Sequence, residues 1–164
     1  MTDPTVLARV RPTLARRGLA LAMLYMLGAL LLYLAFSTPP ASLAWLAFLT
    51  LAGLGALALG EAMRRATVHE ITLTDSAVID TAGRTLCHLD EVAEIDRGVF
   101  AIKPSNGFVL RLRTRRGFAW APGLWWRIGR RVGIGGVTPA GESKFMAEMI
   151  AERLAGRDEP PGQA

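Results

Sequence analysis

The stretch Gly18 to Phe36 reads GLALAMLYMLGALLLYLAF, nineteen residues without a charge. A helix needs about twenty apolar residues to cross the hydrocarbon core of a bilayer. Shortly afterwards Ala41 to Gly60 reads ASLAWLAFLTLAGLGALALG, twenty more residues without a charge. The connector Ser37-Thr38-Pro39-Pro40 is short, polar and helix-breaking. The two runs predict two membrane spans joined as an antiparallel hairpin. A cleaved signal sequence is the alternative for the first run, but its apolar region is shorter, about 7–15 residues, and it has no need of a second span.

Arginine placement orients the hairpin. Arg9, Arg11, Arg16 and Arg17 precede the first run, Arg64 and Arg65 follow the second, and the connector is uncharged. Cytoplasmic flanks carry the excess of basic residues, so both termini are expected in the cytoplasm and the Pro-Pro turn outside. The only lysines are Lys103 and Lys144 in a chain of net charge +5. This Ala/Gly/Arg-rich composition points to a GC-rich bacterial genome, and the expected location is the bacterial inner membrane, crossed twice. The single cysteine, Cys87, excludes an internal disulfide and gives no metal cluster. The absence of ionisable residues within either run argues against a proton path, ion channel or transporter. Ala52, Ala56 and Gly60 recur at spacing four, which lets another helix approach closely. That helix is either the first span of the same chain or one from a partner or second copy.

After Arg65 the periodicity changes to alternation, the mark of half-buried strands. Ile71 and Leu73 alternate with Glu70 and Thr72. Ala77 to Asp80 and Thr85 to His88 flank Ala82-Gly83 and predict a hairpin. Val92 to Arg97 and Val99 to Lys103 are further strand candidates, and Pro104-Ser105-Asn106-Gly107 is a turn by its residue types. Gly107 to Arg113 predicts a strand with Phe108, Leu110 and Leu112 on one face and arginines on the other. Arg115-Arg116-Gly117 reads as a turn, after which Phe118 and Trp120 resume the alternation. At the end Thr138 can cap a helix and Pro139 suits its first position. Phe145, Met146, Met149, Ile150 and Leu154 form its apolar stripe, and Gly156 with Pro160-Pro161 ends it. The expected organisation is a basic N-terminal segment over 1–17, a transmembrane hairpin over 18–62, a cytoplasmic domain over 66–156 and a disordered tail over 157–164. The fold class is an α+β membrane protein, whose small antiparallel sheet or barrel is covered by the C-terminal amphipathic helix.

This order of elements resembles the bacterial pleckstrin-homology-like membrane proteins. These have one or two spans, a strongly bent seven-stranded sheet and a C-terminal helix that plugs one end. The resemblance covers about residues 66–156 together with the hairpin, and it rests on element order and size. It implies a scaffold for lipid or protein contact and brings no catalytic residues with it.

The expected cytoplasmic domain is divided by charge. From Glu70 to Asp96 seven acids stand against Arg84 alone, a net −6, whereas Arg97 to Arg131 holds nine bases and no acid, a net +9. Such asymmetry can orient a domain on an anionic surface, and basic residues near the cytoplasmic leaflet contribute about 1 kcal/mol each. Within the basic half, GLWWRIGRR (Gly123 to Arg131) joins two tryptophans to arginines. One reading sets Trp125 or Trp126 at the bilayer interface, with Arg127, Arg130 and Arg131 near lipid phosphates. A second has at least one tryptophan in the core and the arginines solvated. A third is contact with a protein partner, where Trp and Arg dominate. Gly133-Ile134-Gly135-Gly136, just before the helix, is read as a turn, with an anion site as the alternative.

No zinc-ligand spacing, HExxH, GxSxG, kinase or P-loop pattern is present. The neighbours Cys87 and His88 point to opposite faces of a strand, which weakens a nucleophile–base pair. Asp90, Glu91, Glu94 and Asp96 read as a solvated edge rather than a cation site. The expectation is a non-enzymatic membrane protein with no cofactor and no metal. It acts by contact with anionic phospholipid or with another integral membrane protein, and not with nucleic acid. The alternatives are an accessory or assembly subunit of a respiratory or photosynthetic complex and, from the enzyme class, a lipid-modifying or redox activity.

Overall fold

The computed structural model describes residues 5–96 and 104–158. The strand candidate Val99 to Lys103 and the end of the tail lie outside the described residues. Two long apolar helices lead into two antiparallel sheets and a C-terminal helix, a mixed α+β architecture. Helix α1 runs Leu14–Ser37 and α2 runs Leu43–Ala66. Both are long and apolar enough to cross a membrane, and only 11% of the apolar window of each is buried inside the molecule. The two pack on each other where side chains vanish. A Cβ on Gly28 would lie 3.0 Å from the Gly53 carbonyl oxygen, and one on Gly53 would lie 3.2 Å from that of Gly28. Leu57 and Leu32 close over these two glycines.

The first departure from the sequence expectation precedes α1. Val6–Val10, expected to lie in a basic segment outside the domain, is strand β1. It pairs antiparallel with β2 (Ile71–Thr74), Val10 opposite Ile71. The helical hairpin is thus an insertion between two neighbouring strands of one sheet. That sheet has the order β1-β2-β3-β4, with β3 at Ala77–Asp80 and β4 at Thr85–His88, the hairpin expected around Ala82-Gly83. A single 3-10 turn, Leu89–Glu91, leads to the second sheet of β5 (Val92–Asp96), β6 (Phe108–Ala121) and β7 (Trp125–Ile134). The sheets are not closed into a barrel, which corrects the barrel alternative.

The segment Arg115-Arg116-Gly117 does not turn the chain back. It lies inside the continuous strand β6, and the reversal comes at Pro122–Leu124. The alternation resumed at Phe118 because the strand bends rather than ends. Register irregularities between Arg111 and Arg116 and between Arg116 and Ala119 mark that bend, since an extra unpaired residue bends and twists a strand. On β7, Gly129 supplies the left-handed backbone at φ 58°. The β6–β7 ribbon is thereby folded in half. The Gly135 N–H reaches the Leu124 carbonyl at 2.9 Å and the Val137 N–H reaches that of Gly123 at 3.0 Å.

Helix α3 (Ala140–Asp158) packs on β1 and β5. It extends past Gly156, so its last two residues fall in the stretch assigned to the tail. Met146 and Ile150 are fully buried, whereas Phe145, placed on the stripe by spacing, is 52% exposed. The contacting line runs Ser143-Met146-Ile150, and Phe145 stands about 100° around the helix from Met146. The core joins both sheets and α3 through Val10, Leu73, Leu86, Leu110, Trp125 and Ile150.

These contacts give the sheet domain two ends. At the helix end, the Thr13 N–H meets the Val137 carbonyl at 2.9 Å and the Arg16 guanidinium meets that of Thr138 at 3.0 Å. The ribbon tip also abuts α2 there, since a Cβ on Gly123 would lie 2.7 Å from Met63 Cε. At the far end, Arg153 pairs with Asp75 at 3.0 Å and Arg157 holds the Leu89 and Val92 carbonyls. The first arm of β6 climbs from Phe108 to the far end and the second returns to Ala121. The bend, where Arg116 meets Glu91 of the 3-10 turn, stands roughly 15 Å from the helix ends at about 3.3 Å per residue.

Candidate functional site

The structure separates the residues of GLWWRIGRR. Trp125 is 2% exposed and belongs to the core, so it offers no surface to a bilayer. Its Nε1–H donates to Asp80 Oδ2 at 2.9 Å. Asp80 also accepts from the Ala82 N–H at 2.6 Å and from the Arg84 guanidinium at 2.7 Å, and that guanidinium lies 5.1 Å from the Trp125 ring centre. Burial raises the pKa of the Asp80 carboxyl, but the three donors outweigh it and hold the group below the ordinary aspartate value.

Trp126 stands opposite Trp120 on the neighbouring strand and lies half-buried over Gly133, where any Cβ would strike its ring. Arg127 is a clasp. Its guanidinium donates to the Thr85 and Leu86 carbonyls, both at 2.9 Å, and to that of Gly117 at 3.0 Å. It satisfies carbonyls on the β4 edge, where the two sheets are not closed by strand pairing. Backbone acceptors take up its hydrogen bonds, which leaves it little for phosphate.

Arg130 and Arg131 are exposed and sit at the bend, on the far end of the domain. Arg113 and Arg115 of β6 join them. Two other described bases of this half are ion-paired. Arg116 pairs with Glu91 at 2.5 Å and Arg111 with Glu94 at 3.0 Å. The Arg116 hydrogen bonds lower the Glu91 pKa, and Glu91 raises that of Arg116. Part of the acidic stretch is thus spent on the basic one, and among the described bases of this half four arginines are left without a partner, while Arg97 and Lys103 lie outside the described residues.

At the helix end a shallow cleft is lined by Ala62, Arg65, His69, Arg84, Trp120 and Pro122. Trp120 is 50% exposed there. It shares this cleft with Arg65 at the basic end of α2, where Arg64 and Arg65 both hold Glu61 at 2.7 Å. Sequence reasoning passed over Trp120 as one more alternating residue. Its signal was its partner, because a fourteen-residue strand facing Trp126 brings two tryptophans together.

The other sequence candidates are absorbed by packing. Gly60 closes on Tyr25, where a Cβ would meet the ring at 3.1 Å, and Ala52 and Ala56 are half-buried beside it. Gly53, one step off that stripe, approaches α1 more tightly than Gly60 does. The Gly135 N–H bonds the Leu124 carbonyl and that of Gly136 the Ser105 carbonyl at 2.8 Å. These amides close the fold and do not point at an anion. Cys87 is buried while His88 is exposed, as strand alternation requires. Burial pushes the Cys87 thiol up to about 12, far from the thiolate at neutral pH. The described residues contain no group of three His, Cys, Asp or Glu side chains placed to hold a metal ion.

The arrangement defines a class of protein: an apolar two-helix hairpin carried by a sheet domain that both of its flanks help to build. No family model matches the chain, and no curated protein or solved structure matches it.

Proposed function

We propose that the chain is a non-enzymatic protein of the bacterial inner membrane, anchored by α1 and α2, whose cytoplasmic sheet domain works by contact. The observation that carries this reading is the outward apolar surface of the hairpin, including Met23, Leu30, Leu51 and Leu54. In water such a surface belongs to a partner or a bilayer. The pairing of β1 with β2 supports a same-side topology, because both feet of the hairpin enter one sheet. Basic residues at those feet and the aromatics Tyr33, Phe36, Trp45 and Phe48 towards the other end match the charge and belt pattern of spanning helices. Anionic phospholipid is the ligand expected at the helix end, where Trp120 replaces Trp125 as the interfacial tryptophan and Arg16, Arg17, Arg64 and Arg65 leave a net positive charge, since Glu61 offsets only one of the four. The pleckstrin-homology-like relationship is supported by the seven strands in two antiparallel sheets, the bent ribbon and the C-terminal helix, while the insertion of the hairpin between β1 and β2 departs from the expected order.

The test uses a Cys87→Ser background. Thr38→Cys should react with a membrane-impermeant maleimide on intact spheroplasts, and Ser105→Cys only after permeabilisation. The protein should also stay in the membrane pellet at alkaline pH. Labelling of both positions before permeabilisation, or release into the alkaline wash, would falsify the anchor.

A further inference from the structure

We infer that the bend of the β6–β7 ribbon is a docking site for an acidic protein segment that carries bulky apolar side chains. The inference rests on the anchoring proposed above, which keeps this end of the domain away from the bilayer.

Three observations carry it. The first is unspent charge. Arg113, Arg115, Arg130 and Arg131 are exposed, and none has a partner among the described residues. Arg131 stands directly opposite Arg111 in the ribbon register. Like charges so placed are destabilising. Glu94 compensates Arg111 alone, and an anion bound at the bend would relieve the rest.

The second is exposed apolar surface beside that charge. Phe118 is 73% and Ile128 56% exposed. Ala119 pairs with Arg127, and Phe118 and Ile128 are the next residues on each strand towards the bend. They form an apolar step adjoining the arginines. Aromatic and arginine side chains together are the composition of interface hot spots.

The third is position. Phe118, two residues or about 7 Å along the strand from Trp120, leads from the helix end to the bend, whose arginines stand roughly 15 Å from the helix feet at about 3.3 Å per residue. The bilayer that holds α1 and α2 does not reach it. A free small anion would use the arginines but not Phe118 and Ile128. A nucleic acid would gain no stacking from aliphatic Ile128. An acidic segment with apolar side chains uses both features.

The full chain in neutral phosphatidylcholine nanodiscs tests this with defined probes. One is a synthetic peptide of glutamate and leucine, the second an oligo-glutamate of equal charge, and the third phosphatidylglycerol vesicles. The glutamate–leucine peptide should bind about tenfold more tightly than oligo-glutamate, a difference of about 1.4 kcal/mol. Its binding should weaken as salt rises. The doubles Arg130→Gln/Arg131→Gln and Phe118→Ser/Ile128→Ser should each reduce its affinity about tenfold. Equal binding of the two peptides, no binding by either, or indifference to Phe118 and Ile128 overturns the inference. So does capture of vesicles in place of peptide. Continued protection of Cys87 from thiol reagents shows that each variant is folded. Failure of the anchor is distinguishable, because the chain would then not enter the nanodiscs.

Discussion

The helical hairpin and the sheet domain treat the same residue type in opposite ways. Leu30 and Leu51 of the helices are 55% and 70% exposed, whereas Leu73 and Leu110 of the strands are at 0%. Sheet interiors exclude water by packing against one another. The helices pack only along a narrow seam through Gly28 and Gly53 and present the rest of their leucines outwards. The two regions thus present opposite surfaces, one with its leucines outwards and one with its leucines inwards. Where they meet, the domain grips both feet of the hairpin through Thr13, Arg16 and Met63.

The contrast can be broken most severely in the sheet core. Trp125→Ala should cost about 3–5 kcal/mol, read as a lowered denaturation midpoint of the sheet signal in detergent. Trp45→Ala, an exposed tryptophan of α2, should change that midpoint little. Equal losses would mean that the two regions do not differ in the way described.

A second break strikes the seam. Gly53→Leu forces a side chain into Leu32 and the α1 backbone and should cost about 1–3 kcal/mol as overpacking. Helix–helix contact, followed by cysteine cross-linking across the hairpin, should fall. The sheet's denaturation midpoint should move less than it does for Trp125→Ala.

Asp80→Ala should cost about 1–3 kcal/mol, because it strands the Trp125 N–H in the core. The acid carries a pH signature as well. Its folded pKa lies below the unfolded value, so its contribution is complete above the unfolded aspartate pKa of about 3.9 and is lost as pH falls through the lowered folded value. Wild type should therefore lose stability on that acid side more steeply than Asp80→Asn.

The smallest effect is chemical. Buried Cys87, with its thiol held up to about 12, should react with a thiol reagent at neutral pH only at the rate of local or global opening. Fast reaction in the native protein would contradict its burial.

Much of the fold was legible because it depends on local pattern. The helical runs, the Ala77–Asp80 and Thr85–His88 hairpin and the C-terminal helix each follow from periodicity and breakers within a short window. Strand β1 was hidden because five residues, VLARV, carry no signal apart from the partner they find after α2. The bend in β6 was misread because a basic, glycine-containing stretch satisfies the chemistry of a turn. Only its pairing with β7 keeps it extended.

The candidate site divides in the same way. The charge asymmetry was visible, but which arginines stay unpaired depends on Glu91 and Glu94 reaching across to Arg116 and Arg111 from another strand. Trp125 and Trp126 differ by one position, and strand alternation guarantees that they face opposite ways. It does not say which faces the core.

By itself the sequence determined the two apolar helices, the alternating segments, the final helix and the excess of arginine, since these rest on composition and nearest-neighbour spacing. The tertiary structure alone decided that the hairpin is inserted between paired strands, that Trp125 is core and Trp120 surface, that Arg127 is a clasp, and that four arginines are left at the end away from the helices. Those outcomes depend on which distant segments meet, and a sheet makes that choice through long-range register that no local window contains.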